Sequence, residues 1–119
     1  MTTVQQLTVL DPACCRTASG PGLDLAEAER LAGLLKAVAD PTRLRLLSLV
    51  VGASAGEACI CDLTAPVGLT QPTVSHHMRI LVEAGLLARE QRGKWAFYRL
   101  VPGAVERLSD ALLEPLRTR

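Results

Sequence analysis

Apolar residues recur at three- and four-residue spacing through several stretches of the chain, which predicts a protein built mostly from helices. A first helix begins after Asp24, a residue type that favours the N-cap position, and ends before Pro41. Its apolar positions are Leu25, Ala28, Leu31, Leu35 and Val38. A second helix begins at Pro41, which suits a first helical turn, and ends at Gly52. Its predicted apolar side consists of Leu44, Leu47 and Val51.

The stretch from Thr70 to Gly85 predicts an amphipathic helix, with Thr70 as its cap and Gly85 at its end. A turn of about 100° per residue separates an apolar face from a polar one. The apolar face carries Val74, Met78, Leu81 and Val82. The polar face carries His76, Arg79 and Glu83, with Thr73 beside them. His77 lies near the apolar edge, so we expect it to be a packed structural histidine.

A β-hairpin is predicted after this helix, with strands over 86–92 and 95–100 joined through Gly93 and Lys94. The three aromatic residues lie here, at Trp95, Phe97 and Tyr98, and we expect them to pack in the core. A short helix is predicted near 61–68, after a briefly extended segment over 56–59. A final helix follows Pro102. Its apolar positions are Val105, Leu108, Leu112 and Leu116.

These elements predict a mainly α domain with a small β-hairpin, over residues 23–119. Residues 1–22 are interpreted as a flexible arm that carries Cys14 and Cys15 and ends in the helix-breaking sequence SGPG. The arm lacks the basic start and long apolar run of a signal peptide, and no stretch is long enough to span a membrane. We therefore expect a cytoplasmic protein without a membrane partner.

Positive charge is concentrated in one part of the chain, although the net charge is only +1. Residues 70–101 contain five basic and two acidic side chains, a balance of +3. The basic side chains are Arg79, Arg89, Arg92, Lys94 and Arg99. A phosphate backbone is a suitable partner for this segment, although a solvated charged face has the same composition.

All four cysteines occur as two tight pairs, Cys14–Cys15 and Cys59–Cys61. In an extended segment the side chains of Cys59 and Cys61 point to the same side, so two sulfurs are available to one site. A soft thiophilic ion typically takes three or four sulfurs, which the arm supplies if it folds across. Two alternatives stay open at this point: the cysteines are buried apolar residues, or they form a reversible redox switch.

The segments LKAVADPTRLRLLSLV, ACICDL and LTQPTVSHHMRILVEAGLL resemble the ArsR/SmtB family of metal-sensing bacterial repressors. The resemblance extends from about Leu25 to Leu116. It implies a winged helix-turn-helix homodimer that pairs through its first and last helices, with a recognition helix from Thr70 to Ala84. The last helix has no histidine, which counts against the family's alternative Asp/His/Glu metal site on that helix.

Operator DNA is the expected partner, and two groups of side chains are predicted to contact it. The first turns of a recognition helix enter the major groove, and a wing meets the minor groove or backbone. The predicted DNA-contact residues are Gln71, Thr73, Ser75, His76 and Arg79 on the helix, with Arg92 and Lys94 on the wing.

The sequence therefore predicts a repressor, not an enzyme, that leaves its operator when As(III) or Sb(III) binds three thiolates among Cys14, Cys15, Cys59 and Cys61. Cd, Pb or Zn at a four-cysteine site, or a thiol redox switch, are the alternative triggers. A thiol enzyme is disfavoured because there is no CxxC motif and no phosphate-cradling loop. No organic substrate is expected. A DNA-binding module without any ligand also remains open.

Overall fold

A computed structural model describes residues 22–116 of the 119-residue chain. The predicted arm, apart from its last residue, lies outside the described residues, and so do Cys14 and Cys15. The helices are α1 (Leu25–Val38), α2 (Pro41–Gly52), α3 (Thr64–Val67), α4 (Gln71–Glu83) and α5 (Ala104–Leu116). The strands are β1 (Glu57–Cys59), β2 (Leu87–Arg92) and β3 (Trp95–Leu100). Two short 3-10 turns, Ser54–Gly56 and Ile60–Asp62, flank β1.

Side-chain caps fix where the first two helices begin. Asp24 and Glu27 form a reciprocal capping box, in which the Asp24 carboxylate accepts a hydrogen bond from the Glu27 backbone N–H at 2.8 Å. Asp40 caps α2 by accepting from the backbone N–H of Arg43 at 3.0 Å. The predicted starts of both helices are thus confirmed, and the chain turns from α1 into α2 within two residues.

The predicted hairpin is confirmed, and β1 adds a third strand to it, in the antiparallel order β1-β3-β2. Leu87 lies opposite Leu100, and Arg92 lies opposite Trp95 at the turn. The segment that the sequence predicted to be briefly extended pairs with β3, where Cys59 lies opposite Phe97. The strand that carries a cysteine is therefore part of the same sheet as the hairpin.

The core is formed by α2, α4, the sheet and the turn after β1. Its fully buried side chains are Leu46, Val50, Leu63, Val74, Met78, Leu81, Leu86 and Leu87. The predicted apolar face of α4 is confirmed by Val74, Met78 and Leu81. The predicted apolar side of α2 is right for Leu47, which packs against the core, and wrong for Leu44 and Val51, which are about half exposed. The buried residues of α2 are Leu46 and Val50.

The three aromatic residues have different environments. Tyr98 is buried, Phe97 is half-buried, and Trp95 is 41% exposed. The expectation of core packing is right for Tyr98 and wrong for Trp95. Trp95 lies beside the hairpin turn, opposite Arg92.

The two end helices carry exposed apolar side chains. Leu25 on α1 and Val105 and Leu113 on α5 are exposed, as is Leu23 just before α1. The two helices contact each other and enclose a cavity of about 360 Å³ lined mainly by leucine and alanine. Within residues 22–116, no helix is long and apolar enough to cross a membrane.

Candidate nucleic-acid interface and thiol pair

The polar side chains that the sequence predicts to contact DNA lie on the outer face of α4. Gln71, Thr73, His76 and Arg79 are exposed, and Ser75 is half-buried. Thr70 is the N-cap, but its hydroxyl donates to the Thr73 hydroxyl at 3.0 Å and makes no bond to the helix backbone. The first backbone N–H groups of α4 are therefore left without a side-chain cap, as suits a helix end that faces a phosphate.

The inner side of α4 is held by Arg43 of α2. The Arg43 Nε donates to the Ala37 carbonyl at 2.6 Å, and its Nη2 donates to the Lys36 carbonyl at 3.3 Å. Its Nη1 donates to Nδ1 of His77 at 3.1 Å. One guanidinium thus ties the end of α1 to the recognition helix. His77 is half-buried and lies away from the polar face, as the sequence predicted.

Arg92, one of the two predicted wing contacts, forms ion pairs with other residues of the protein. Its guanidinium forms ion pairs with Glu57 on β1 and with Glu90 on β2, the latter at 2.8 Å. It also lies 4.5 Å from the centre of the Phe97 ring, a cation–π contact. The hydrogen bonds from Arg92 lower the pKa of both carboxyl groups and raise the pKa of Arg92. Its charge is locally neutralised, while its role as a DNA contact stays a prediction.

Arg89 belongs to the basic segment 70–101 but is not among the DNA contacts that the sequence predicts. It lies on β2 and lines a groove of about 390 Å³ together with Ser75, His76 and Arg79 of α4. Period-two alternation places its side chain on the same face of the sheet as its opposite residue, Tyr98. This alternation can be recognised in the sequence, and it places Arg89 on the opposite face of the strand from Glu90 and Arg92. Lys94 is exposed at the turn, as predicted.

Cys59 and Cys61 are close together at the junction between β1 and the 3-10 turn. The backbone N–H of Cys61 donates to the Cys59 sulfur at 3.4 Å. Cys59 is buried and Cys61 is exposed. The hydrogen bond between the two side chains, then partial loss of water and the nearby charge of Asp62, raise the pKa of the Cys61 thiol to about 11. The Cys61 thiol is therefore protonated near neutral pH.

The pair supplies two of the sulfurs that the predicted ion site needs. Among residues 22–116 there is no group of three or more His, Cys, Asp or Glu side chains placed to hold a metal ion. Cys14 and Cys15 fall outside the described residues. The donor chemistry of two adjacent thiols fits a thiophilic ion, and the third ligand has to come from elsewhere.

The thiol pair is connected to the recognition helix by the residues that follow it. The Ile60–Asp62 turn contacts α4, and Leu63 is fully buried in the same cluster as Val74 and Met78. Close packing in such a cluster transmits small displacements. A change in the position of the turn therefore acts directly on the buried side of α4.

The tandem of α3 and α4 followed by a two-stranded wing defines a winged helix-turn-helix protein. The sequence profile described as "Bacterial regulatory protein, arsR family" matches residues 40–89. An HTH-type transcriptional regulator of Methanocaldococcus jannaschii is 39% identical over 67% of this chain and 88% of its own length. The chain belongs to the arsR family of bacterial regulatory proteins.

Relatives with a stated role in arsenic resistance also match. The arsenic resistance transcriptional regulator ArsR1 of Pseudomonas putida is 42% identical over 68% of this chain. The match spans 61% of that relative's length.

Two solved structures share the fold over most of this chain. The antimony-specific transcriptional repressor AntR is 30% identical, with a TM-score of 0.61 over 89% of this chain and 92% of its own. A homodimeric winged helix-turn-helix domain of Mycobacterium bovis is 26% identical, with a TM-score of 0.62 over 84% of this chain and 89% of its own.

Proposed function

We propose that this protein is a cytoplasmic transcriptional repressor that binds operator DNA and releases it when As(III) or Sb(III) binds cysteine thiolates. One observation carries the proposal: a close thiol pair lies directly before Leu63, which packs under the polar-faced helix α4. A site for a soft ion and a surface suited to DNA are thus joined in one small core. The arsenic-resistance regulator and the antimony-specific repressor to which this chain is similar support this ligand class.

The DNA surface is formed by the first turns of α4 and by the wing. Gln71, Thr73, Ser75 and His76 face the bases, and Arg79 faces the backbone. Lys94 is the wing contact whose charge has no ion pair among the described residues. Arg92 contributes only after its bond to Glu57 opens. The contacts by Lys and Arg make the affinity depend strongly on salt.

A homodimer presents two such surfaces to successive major grooves. The exposed apolar residues at the start of α1 and along α5 are the proposed interface, because they lie on two helices that contact each other. The homodimeric relative of the same fold supports this assembly.

As(III) takes three thiolates in a pyramidal arrangement, and Cys59 and Cys61 supply two of them. Cys14 or Cys15, from the same subunit or its partner, supplies the third. Binding requires loss of the thiol protons, so the ion replaces the hydrogen bond between the two side chains. Tying the arm to the Ile60–Asp62 turn then moves Leu63 and disfavours the arrangement of α4 that fits DNA. A coupling of about 1–3 kcal/mol lowers the DNA affinity roughly 5- to 150-fold.

The test is fluorescence anisotropy of the reduced protein on a duplex that the protein itself selects from a random library, at fixed salt. Arsenite and antimonite are titrated first, followed by Cd, Pb and Zn. Release by arsenite near one equivalent per site is the expected result. Serine substitution of Cys59 or Cys61 removes that release while DNA binding persists.

Other outcomes of the titrations favour a different trigger or contradict the proposed function. Release by Cd or Pb alone favours the four-cysteine site, and release by diamide alone favours a redox switch. If serine substitution at each of Cys14, Cys15, Cys59 and Cys61 leaves ion-induced release unchanged, the thiolate mechanism is wrong. If the protein selects no duplex, the DNA-binding function itself is wrong.

A further inference from the structure

The groove between α4 and β2 has a cationic lining. Arg79 and His76 border it on the helix side, and Arg89 borders it on the strand side. Its other lining residues are Pro72, Ser75, Val82 and Tyr98, so no carboxylate lines it. Two guanidinium groups beside a wall without carboxylates form a surface suited to an anion, and the Nη2 of Arg79 lies 3.5 Å from Nδ1 of His76.

Arg89 differs from the other wing arginines in its bonding partner. Its Nη2 donates to the neutral amide oxygen of Gln91 at 2.6 Å. Arg92 is paired with two carboxylates, and Arg99 lies 3.9 Å from the carboxylate of Glu90. Among the described wing arginines, Arg89 thus keeps its full charge with no carboxylate in an ion pair.

Arg89 is also held in place before any ligand arrives. The Gln91 side chain that accepts its hydrogen bond donates in turn to the Gly93 carbonyl at the hairpin turn, at 3.0 Å. On the opposite strand, Tyr98 is the cross-strand neighbour of Arg89, is only 3% exposed and lines the same groove. An arginine that is already oriented loses less conformational entropy when it binds phosphate.

We infer that Arg89 is a DNA-backbone contact, which together with Arg79 binds a phosphodiester of the operator beside the recognition helix. This inference rests on the proposed DNA-binding function. Such a contact sets the depth and angle at which α4 enters the groove but reads no base. Arg89 thus makes the contact with the DNA backbone that the sequence pattern predicted for Arg92.

The test compares Arg89→Gln with Arg99→Gln, which removes the same charge from the other face of the same sheet. DNA affinity is measured on the selected duplex and on a scrambled one, from about 50 to about 200 mM salt. Arg89→Gln removes one phosphate contact from each subunit of the proposed homodimer, which lowers the salt slope by about 1.8. The salt-induced loss of affinity over this range therefore shrinks by about 12-fold for Arg89→Gln, equally on both duplexes. Arg99→Gln leaves the slope unchanged.

A third variant separates charge from geometry. Arg89→Lys keeps the charge but not the planar fork, so it restores the slope and only part of the affinity. Circular dichroism confirms that each variant is folded. If Arg89→Gln keeps the slope of the original protein while that protein binds DNA, the inference is overturned and the proposed function stands. If the original protein binds neither duplex, the proposed DNA-binding function is wrong, and the role of Arg89 is wrong with it.

Discussion

Cys59 and Phe97 lie directly opposite each other between β1 and β3. Period-two alternation places both on the same face of the sheet, together with Glu57 two residues earlier on β1. Arg92 covers the Phe97 ring and is bound to Glu57. The strand β1, which ends at Cys59, is therefore joined to the wing by one continuous row of contacts, separate from the path through Leu63.

Glu57→Gln is predicted to strengthen DNA binding. The substitution removes one of the two carboxylates that bind Arg92, and a guanidinium that keeps only its ion pair with Glu90 becomes more available to a phosphate. Each subunit of the proposed homodimer carries one such arginine, so we expect a salt slope steeper by up to about 1.8 and a several-fold higher affinity at low salt. Anisotropy titrations over a range of salt concentrations measure both quantities.

Glu106→Gln is the matched control, because it removes the same charge from the first turn of α5, away from the wing. Its slope should equal that of the original protein. Equal behaviour of Glu57→Gln and Glu106→Gln contradicts a specific role for the bond between Glu57 and Arg92.

Cys61 is predicted to react slowly with iodoacetamide, although it is exposed. Its pKa of about 11 leaves little thiolate near neutral pH. Against an ordinary cysteine pKa of about 8.5, and allowing for the higher nucleophilicity of the more basic thiolate, alkylation should be roughly 10- to 30-fold slower than in the urea-unfolded chain. Mass spectrometry of the cysteine-containing peptides at timed intervals gives the rates.

The pH dependence of the Cys61 alkylation rate has a definite direction. A thiol with a raised pKa gains thiolate as the pH rises, so the Cys61 rate should keep increasing beyond pH 8.5, where an ordinary thiol levels off. Cys59→Ala removes the partner that raises the pKa most and should accelerate Cys61 toward the unfolded rate. A Cys61 rate that is unaffected by Cys59→Ala means that the two sulfurs do not interact.

Leu63→Ala is predicted to destabilise the domain by about 2–5 kcal/mol, because it leaves a cavity in the cluster beneath α4. The measurement is urea unfolding at one fixed protein concentration, since the stability of a dimer depends on concentration. Val51→Ala, at a side chain that is 53% exposed, serves as the control and should change stability by less than about 1 kcal/mol. A similar loss for both variants would show that Leu63 does not occupy the core.

The comparison of α4 with α2 shows what periodicity can establish. In α4, the positions between Val74, Met78 and Leu81 are mostly polar, so only one face is suited to burial. In α2, the run LRLLSLVV places leucine or valine on nearly every side. Local spacing therefore cannot select its inner face, which is set by packing against the other elements, and the prediction was wrong there for Leu44 and Val51.

The thiol pair and the wing show a second limit of prediction from the sequence, which concerns contacts between residues far apart along the chain. The separation of Cys59 and Cys61 along the chain predicts two adjacent sulfurs, because that geometry is local. The partner of Arg92 is Glu57, 35 positions away in the sequence, and only the strand order β1-β3-β2 brings them together. Arg89 and Arg92 have equal charge in the sequence, and their different surroundings follow from this pairing.

The bond between Arg43 and His77 lets the placement of α4 and its proposed contacts with DNA vary independently. The helix is held from behind by a guanidinium anchored to two backbone carbonyls, whose positions do not depend on side-chain identity. Substitutions at Gln71, Thr73 or His76 on the opposite side leave that anchor untouched. A lineage carrying this scaffold can therefore acquire a new operator by exchanging surface residues, without rebuilding the support that aims the helix.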